Sequence, residues 1–362
     1  MKIVYLMSGF GVGGAEQLVR DLSLKFAING DLVTIISLMD NHYNIPINKN
    51  ISFFSFNLKN NFFYFFLTLF KIYHLIIKIN PDIIHTHMFH SNIIGRFFII
   101  FLKKKPILIC SAHSNNEGGF FRMFIYRISN FLSDEFFNVS ENAVKAFERK
   151  QAVAKSKMSY IYNGINITNF PFSDHNIGEF KNSPVFLNVG SLTRLKDHVN
   201  LIKAFSLVVE QIPKSKLLIV GDGPLKKELI NLVDELNISD SVSFLGIRSD
   251  ISDLMKKSNV FVLSSSHEGF GIVLAEAMAS GLIIVSTDCG GSREVLGDLG
   301  FIVPIKDYLE LSKKMIETTF LNRDYKEHLI LSGRNRVLDL FDINNIFSQW
   351  RNVYKLKLNE KN

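Results

Sequence analysis

Several features are scarce in this sequence, and each absence narrows the class of protein. The chain of 362 residues has two cysteines, Cys110 and Cys289, too few for a disulfide framework or a cysteine-based zinc site. We expect Cys110, within an apolar run, to be a small buried side chain. No hydrophobic run reaches the roughly 20 apolar residues that a membrane-spanning helix needs. The chain starts directly with a strand-like run rather than a signal peptide, so we expect a cytoplasmic protein.

Acidic residues are sparse in the first half of the chain. Residues 1–170 contain 18 lysines and arginines against 10 acidic residues, whereas the remainder is close to neutral. This excess indicates an anionic partner, and because no DNA- or RNA-binding module is recognisable we do not expect nucleic acid. Two Phe-rich basic segments, 61–79 and 96–105, can form amphipathic helices on an anionic membrane surface, at the inner face of the cell membrane. The alternative is that both are ordinary helices packed on a sheet.

Strand-like and helix-like patterns alternate along the whole chain. This alternation predicts doubly wound parallel sheets, and it includes a helix at 122–132 and a strand at 158–162. A polar, helix-poor stretch from residue 166 to 184 predicts a domain boundary. We therefore expect one α/β domain at 1–165, a second at 166–343, and a final helix at 344–362.

Residues 261–281 hold the most informative pattern. An apolar run rich in β-branched residues ends in serines, a glycine-containing turn follows, and a helical pattern ends at Gly281, which predicts strand, loop and helix. Glu268 lies in the loop and Glu276 early in the helix. A carboxylate at Glu276 can accept hydrogen bonds from both ribose hydroxyls, and the helix N-terminus attracts phosphate. The segment therefore suits a sugar nucleotide.

The Glu-x7-Glu spacing, with Glu-Gly-Phe-Gly at 268–271 and Ala-Glu-Ala-Met-Ala-Ser-Gly at 275–281, resembles family 4 of the retaining glycosyltransferases with the GT-B fold, of the polysaccharide-biosynthesis type. The resemblance implies two Rossmann-like domains facing a central cleft. The second would bind the nucleotide sugar, the first the acceptor, and the last helix would cross back to the first. It also implies that Glu276 holds the ribose, that Glu268 lies near the reacting sugar, and that Gly271 and Ile272 lie against the diphosphate.

A glycine-rich loop, residues 8–16, joins the first strand to the first helix. Gly9, Gly11 and Gly14 match Gly-x-Gly-x-x-Gly, and Asp40 ends the second strand, as in a dinucleotide-binding domain. An NAD(P)-dependent oxidoreductase is therefore one alternative. The resemblance favours another role, because Gly-Gly-Ala-Glu commonly opens the first domain of the family. It would place Gly13 and Gly14 near the donor diphosphate.

Lys196 is the strongest candidate for a cation that holds the diphosphate. In the family the turn after the first strand of the second domain carries Arg-x4-Lys, and Lys196 stands at the Lys position while Ser191 replaces the Arg. Arg194 lies between them and is the candidate for the missing charge. A positioned cation stabilises the negative charge that develops on the leaving nucleoside diphosphate.

Histidines follow two strands of the first domain. His85 and His87 flank Thr86, but no third ligand accompanies them, so we do not expect a metal. His113 follows the next apolar run, and the family has a histidine at this strand end, close to the donor sugar and its phosphate. The polar loop after it, with Asn116 and Glu117, is the candidate acceptor contact.

Three further positions complete the expected nucleotide site. Gly221 would line the donor, and Ile247 with Arg248 would lie where the family holds the base, largely through backbone groups. The resemblance implies a front-side, retaining, metal-independent transfer from a nucleotide sugar, with a UDP-sugar expected and no other cofactor. The basic, Phe-rich first domain suggests a lipid-linked saccharide acceptor. A GT-B-fold nucleotide-sugar epimerase, and a non-enzymatic sensor without phosphate binding, remain as alternatives.

Overall fold

The computed structural model describes residues 1–40, 42, 44–58, 62–178, 180 and 182–361. Asn61 of the predicted helix at 61–79 and Asn362 of the predicted last helix lie outside the described residues. The chain divides into two compact units, Met1–Ile165 with Ile343–Asn362 (unit 1) and Asn166–Asp342 (unit 2).

Unit 1 is a parallel sheet wrapped by helices. Its strands are β1 Lys2–Met7, β2 Leu32–Ser37, β3 Ile51–Ser55, β4 Ile83–His87, β5 Ile107–Ser111, β6 Glu135–Asn138 and β7 Ser159–Tyr160. Its helices are α1 Gly14–Ile28, α2 Phe62–Ile79, α3 Phe89–Phe101, α4 Gly119–Ser129, α5 Glu141–Arg149 and, from the end of the chain, α13 Ile343–Lys361. Within the described residues the strand order is β3-β2-β1-β4-β5-β6-β7.

The central strands of unit 1 are apolar on both faces because helices cover both sides of a doubly wound sheet. In β1, Ile3 to Met7 are fully buried. The last helix belongs to this core, since Trp350 and Tyr354 of α13 are buried against the sheet with Phe26 and Ile109. No helix among the described residues is long and apolar enough to cross a membrane.

Unit 2 repeats the architecture. Its strands are β8 Val185–Val189, β9 Lys216–Val220, β10 Val242–Gly246, β11 Val260–Leu263, β12 Ile283–Thr287 and β13 Phe301–Val303. Its helices are α6 His198–Gln211, α7 Lys226–Glu235, α8 Ile251–Lys256, α9 Ile272–Ser280, α10 Ser292–Leu296, α11 Tyr308–Thr319 and α12 Arg323–Leu340. The order in the part of the sheet that is described is β10-β9-β8-β11-β12-β13, all parallel.

The alternating pattern thus predicts both sheets apart from the edge strand β13, and some element bounds differ. Helix α4 begins at Gly119 rather than at residue 122 and ends in a short 3-10 turn, Asn130–Leu132. The predicted strand at 158–162 pairs over two residues only. Helix α12 was not predicted, because its charged residues are spread around the helix and blur the apolar stripe that packs on α9.

Candidate active site

Both sheets reverse their strand order at one point, between β1 and β4 in unit 1 and between β8 and β11 in unit 2. In open parallel sheets, ligands bind beyond the carboxyl ends of the strands at such a reversal, because the flanking loops turn away in opposite directions. The candidate residues after β1 and β4 in unit 1 and after β8 and β11 in unit 2 lie at this place, whereas those after β5, β9 and β10 follow other strands of the sheets. The two sites are described separately.

In unit 2 a lysine and a carboxylate meet at the reversal. Lys196 ends the 3-10 turn Arg194–Lys196 after β8, just before the N-terminus of α6, and Glu268 lies in the loop after β11. Lys196 Nζ donates to Glu268 Oε1 over 2.5 Å, with the side chains 25% and 12% exposed. Partial burial strengthens this attraction. An ammonium beside a helix N-terminus is a suitable place for a phosphate.

Three successive serines hold Lys196 and Glu268 in place. Ser264 Oγ donates to the carbonyl oxygen of Lys196 (2.8 Å) and Ser265 Oγ to Glu268 Oε1 (2.7 Å). The backbone N–H of Ser266 donates to the carbonyl of Leu195 (2.8 Å). Each hydroxyl therefore fixes part of the Lys196–Glu268 pair, a function that the sequence pattern did not predict.

The segment after Glu268 enters α9 through positions that favour glycine. Gly271 caps the helix with φ +86°, in the left-handed region, and Ile272 is the first helical residue. A Cβ on Gly291, in the neighbouring loop, would lie 2.5 Å from the carbonyl oxygen of Gly269. Glu276 is the fifth residue of α9 and half-buried. The first turn of α9 thus lies beside the Glu268 loop, where its N-terminus favours an anion.

Gly221 marks a close backbone crossing between the loops after β8 and β9. Its φ is +135°, and a Cβ there would lie 2.0 Å from the carbonyl oxygen of Gly190. Its N–H donates to the carbonyl of Gly246 at the end of β10 (2.8 Å). A glycine is required here by both conformation and space.

The remaining predicted unit 2 residues are exposed. Arg194 has no ion pair among the described residues. Ile247 is 67% exposed, and Arg248 is bound to Asp250 through two hydrogen bonds of 2.8 and 2.6 Å. The hydrogen bonds from Arg248 lower the pKa of the Asp250 carboxyl. The Arg248 cation is thus already compensated, while that of Arg194 is available for an anion.

In unit 1 the reversal is occupied by histidines. His87 ends β4 and His113 follows β5; His87 Nδ1 and His113 Nε2 are 2.9 Å apart. His85 is bonded to the hydroxyls of Tyr354 (Nδ1, 2.6 Å) and Ser111 (Nε2, 2.8 Å). Burial lowers the pKa of His113 to about 4 and those of His85 and His87 well below their usual value. The three rings are neutral near pH 7.

Glu117 and Asn116, the predicted acceptor contacts, differ in setting. Asn116 is exposed, and its Oδ1 accepts hydrogen bonds from the N–H groups of Gly118 and Gly119. The Glu117 carboxylate accepts from the His113 N–H at Oε1 (3.0 Å) and from the Tyr126 hydroxyl at Oε2. Burial raises its pKa to about 6. In this structure Glu117 therefore holds the His113 loop in place.

The glycine-rich loop begins α1. Gly13 is its N-cap, Gly14 its first residue, and Arg20 donates to the carbonyl oxygen of Gly11 over 2.5 Å. Asp40 is exposed, accepts from Ser55 Oγ (2.9 Å) and lies 3.8 Å from His42 Nδ1. Asp40, the carboxylate that an NAD(P)-dependent oxidoreductase would use to bind a ribose, thus already accepts a hydrogen bond from Ser55.

One pair of buried side chains that supports the Lys196 turn was not predicted from the sequence. Buried His198, the first residue of α6, shares a hydrogen bond between its Nε2 and Asn188 Oδ1 (2.9 Å), and Asn188 Nδ2 donates to the carbonyl of Val262 (2.8 Å). Burial lowers the pKa of His198 to about 4. The pair joins β8, α6 and β11 beneath the Lys196 turn. A polar residue within each apolar segment is the signal that could have identified it.

Comparison with known proteins places these features in a family. A model described as "Glycosyl transferases group 1" matches residues 169–336, and one described as "Glycosyltransferase Family 4" matches residues 12–169. The UDP-Gal:alpha-D-GlcNAc-diphosphoundecaprenol alpha-1,3-galactosyltransferase of Escherichia coli is 29% identical over 299 residues, 76% of each chain. The N-acetylgalactosamine-N,N'-diacetylbacillosaminyl-diphospho-undecaprenol 4-alpha-N-acetylgalactosaminyltransferase of Campylobacter jejuni is 28% identical over 349 residues, 90% of this chain and 93% of the relative.

A solved structure confirms the fold. Anabaena HepE in complex with UDP and glucose superposes with a TM-score of 0.82 at 21% identity, over 98% of this chain and 99% of that chain. The fold class and the resemblance stated from sequence are confirmed, and the oxidoreductase alternative is set aside because the matching families are transferases. The first part of the chain thus matches the Glycosyltransferase Family 4 model and the second part the Glycosyl transferases group 1 model, and the protein is a glycosyltransferase with the GT-B fold.

Proposed function

We propose that this enzyme transfers a sugar, with retention of anomeric configuration, from a UDP-sugar to a hydroxyl of a lipid-linked saccharide during cell-surface polysaccharide synthesis such as capsule, O-antigen or exopolysaccharide. The observation that carries the proposal is the Lys196–Glu268 pair at the strand reversal of unit 2. Support for donor and acceptor comes from the E. coli relative, whose name specifies UDP-Gal and a diphosphoundecaprenol saccharide, and from the UDP bound to HepE.

Each residue has a proposed task. Lys196, aided by Arg194, stabilises the charge that develops on the departing diphosphate; Gly13, Gly14, Gly271 and Ile272 lie against it. Glu276 accepts hydrogen bonds from the ribose, while Gly221 and the backbone at Ile247 and Arg248 line the nucleoside. His113 and Glu268 contact the reacting sugar, and Asn116 faces the acceptor.

The reaction is a front-side substitution at the anomeric carbon of the donor. The bond from that carbon to the phosphate oxygen breaks, a bond to the acceptor oxygen forms on the same face, and the acceptor proton passes to the departing phosphate. We propose that the required positive charge comes from Lys196 rather than from a metal, so EDTA should leave the rate of transfer unchanged.

A ligand panel tests the donor. Thermal unfolding would be followed with UDP, GDP, ADP, their sugars, NAD and NADP. We expect UDP and one UDP-sugar to stabilise the protein, by about 2.7 kcal/mol at ~100 times the dissociation constant. Stabilisation by NAD or NADP alone would overturn the proposal. Isomerisation of the nucleotide sugar without any acceptor, seen by NMR, would favour the epimerase.

The ribose contact has a direct test by calorimetry. Replacing Glu276 by Ala should weaken UDP binding by about ten- to a hundredfold, because hydrogen bonds to a charged group contribute about 1.5–3 kcal/mol. Glu210→Ala, at an exposed glutamate on α6, is the matched control. Unchanged UDP affinity in the Glu276 variant would remove the ribose assignment.

We also propose that unit 1 binds an anionic membrane surface, which would bring it to a lipid-linked acceptor at the inner face of the membrane. Helix α2 buries Leu69, Ile72 and Ile76 while Phe63 and Phe70 are 70% and 61% exposed, so packing on the sheet and contact with lipid use different faces. The strongest surface is the aromatic face of α4 and the turn after it: Phe120, Phe121, Phe124, Ile128 and Phe131. The segment 118–133 has two arginines and no acidic residue, which suits anionic lipid.

Vesicle sedimentation tests this surface. The triple variant Phe120→Ser, Phe124→Ser, Phe131→Ser should lose most binding to vesicles rich in phosphatidylglycerol, and wild-type binding should weaken at high salt. Leu309→Ser with Phe320→Ser, two exposed apolar residues of unit 2, is the control. Equal binding to phosphatidylcholine vesicles, or undiminished binding of the triple variant, would contradict the membrane proposal and leave the donor assignment intact.

A further inference from the structure

The His87–His113 pair leaves one nitrogen of each ring without a partner. His87 Nδ1 and His113 Nε2 face each other at 2.9 Å, while the buried atoms His87 Nε2 and His113 Nδ1 have no hydrogen-bond partner in the described part of the chain. Buried polar atoms without partners are uncommon in folded proteins. An unpartnered nitrogen on His113, a candidate site residue, is the kind of group that a bound ligand satisfies.

The pairing couples the tautomers of the two rings. A neutral imidazole has one N–H and one bare nitrogen. If His87 carries its proton on Nδ1 and donates, His113 carries its proton on Nδ1 and presents an N–H donor at the unpartnered atom. If His113 donates from Nε2, its Nδ1 is a bare acceptor. His87 therefore determines which of the two His113 presents.

We propose that His87 is a positioning residue for His113: by donating from Nδ1 it holds the His113 ring in place and keeps the His113 proton on Nδ1, directed at an oxygen of the donor sugar or its diphosphate. We assign the tautomer with the N–H at Nδ1 because the oxygens of a sugar diphosphate are mainly hydrogen-bond acceptors. This inference rests on the proposed role of His113 in the transfer.

His87 is itself held rigidly. Its ring lies 4.1 Å from that of His85 and 5.7 Å from that of Tyr5, measured between centroids. The next residue, Met88, has φ 68° and ψ 162°, a conformation that is rare for a side chain of this size, and its N–H donates to the carbonyl of Ser111 (3.0 Å). This strained residue turns the chain sharply into α3 directly after His87.

The surroundings keep both rings neutral. The titratable groups that face His87 are His113, His85 and Tyr5, and the His85 nitrogens are taken up by Tyr354 and Ser111. Burial, followed by repulsion from His85 and His113, lowers the pKa of His87 well below its usual value. A neutral pair shares one proton without charge repulsion, so the bond persists across the physiological pH range.

Two measurements test the proposal. The first is the tautomer of His113 from long-range proton–nitrogen NMR spectra of histidine-labelled wild-type protein, assigned through His113→Ala. The second is the slow release of UDP from the UDP-sugar that the ligand panel selects, with water as the acceptor. The variants are His87→Leu, which removes the donor, and His87→Asn, whose amide can take the place of Nδ1. His90→Ala, an exposed histidine in the first turn of α3, is the control.

We expect wild-type His113 to be a single Nδ1–H tautomer, and His87→Leu to lower kcat between about tenfold and a hundredfold with UDP affinity unchanged. His87→Asn should recover most of the loss, and His87→Leu should have little further effect in a His113→Ala background. An Nε2–H tautomer or an even mixture in wild type overturns the inference even if a variant fails to fold. If His87→Leu keeps the wild-type kcat while His113→Ala loses activity, the inference about His87 is overturned and the proposed function stands. An unimpaired His113→Ala removes His113 from the proposed function itself.

Discussion

Units 1 and 2 use the same strand order, with His87 and the Lys196–Glu268 pair at the same reversal of it, but the two sites differ in charge. In unit 2 a lysine and a glutamate form a half-buried ion pair. In unit 1 three histidines are neutral because burial lowers their pKa values. One topology therefore holds a charged lysine–glutamate pair in unit 2 and neutral histidines in unit 1.

The two sites are also held together differently. The unit 2 loops are joined by the hydroxyls of Ser264 and Ser266 and by a backbone crossing at Gly221. The unit 1 histidines are held by aromatic packing, including Trp350 of α13 at 4.6 Å from His85. Hydrogen-bonded loops keep a charged pair in register, whereas packed rings also exclude the water that would favour protonation of the histidines.

The largest effect should come from removing the cation of unit 2. Replacing Lys196 by Met deletes the charge that we propose for stabilising the departing diphosphate and should lower kcat by about a hundred- to a thousandfold, the range seen when one preorganised electrostatic group is lost. UDP release under steady-state conditions measures it. Lys196→Arg, which keeps a cation, should retain more activity than Lys196→Met.

Arg194→Met tests whether a second cation contributes, because the exposed Arg194 lies two residues before Lys196 in the same turn. If Arg194 replaces the arginine that is absent at Ser191, its loss should lower kcat measurably, though less than the loss of Lys196. Equal rates for Lys196→Met and wild type would show that the charge of the unit 2 site is not used in the reaction.

A smaller effect is expected from breaking the backbone crossing. Gly221→Ala places a Cβ 2.0 Å from a carbonyl oxygen at φ +135°, so the loops must separate, at a cost of about 3 kcal/mol in unfolding free energy. Gly246→Ala is the control, since Gly246 also has a positive φ but open space around its Cβ, and it should cost only about 1 kcal/mol. Thermal unfolding followed by circular dichroism compares them. Equal destabilisation would mean that conformation, not space, requires Gly221.

Much of the fold could be predicted from sequence because parallel strands buried on both faces are continuous apolar runs. Helix α9 and its glycine cap were predictable from local pattern, as was Glu276 within it. Helix α12 was not, because it depends on contacts with α9 that no local pattern reveals, and the edge strand β13 is only three residues long.

The site was predictable as a set of residues but not as a set of contacts. Glu268 and Lys196 are 72 residues apart in the chain, and only the strand order brings them together. Glu117 also shows that contacts are not readable from sequence. Its polar loop predicts an acceptor contact, but not that its carboxylate accepts hydrogen bonds from the His113 N–H and the Tyr126 hydroxyl. Hydrogen-bond partners depend on tertiary structure, whereas loops and their polarity depend on local sequence.

The smallest predicted effect tests how strongly burial shifts the titration of Glu117 in unit 1. Its pKa is raised from 4.5 to about 6, mainly by burial, so the native state favours the protonated acid. The resulting stability is present below about pH 4.5 and is lost as the pH rises through about 6, up to about 2 kcal/mol. Glu117→Gln cannot titrate, so its unfolding free energy relative to wild type should rise by this amount between pH 4.5 and 7.

Trp350, the one tryptophan of the chain, is buried in unit 1, so its fluorescence during urea unfolding reports on this unit. Glu141→Gln is the control: Glu141 forms an exposed pair with Lys145 one helical turn away, and such pairs contribute only about 0.3–0.5 kcal/mol. Parallel pH curves for Glu117→Gln and wild type would show that this carboxyl titrates normally. The effect of burial on the titratable groups of the unit 1 site would then rest on the histidines alone.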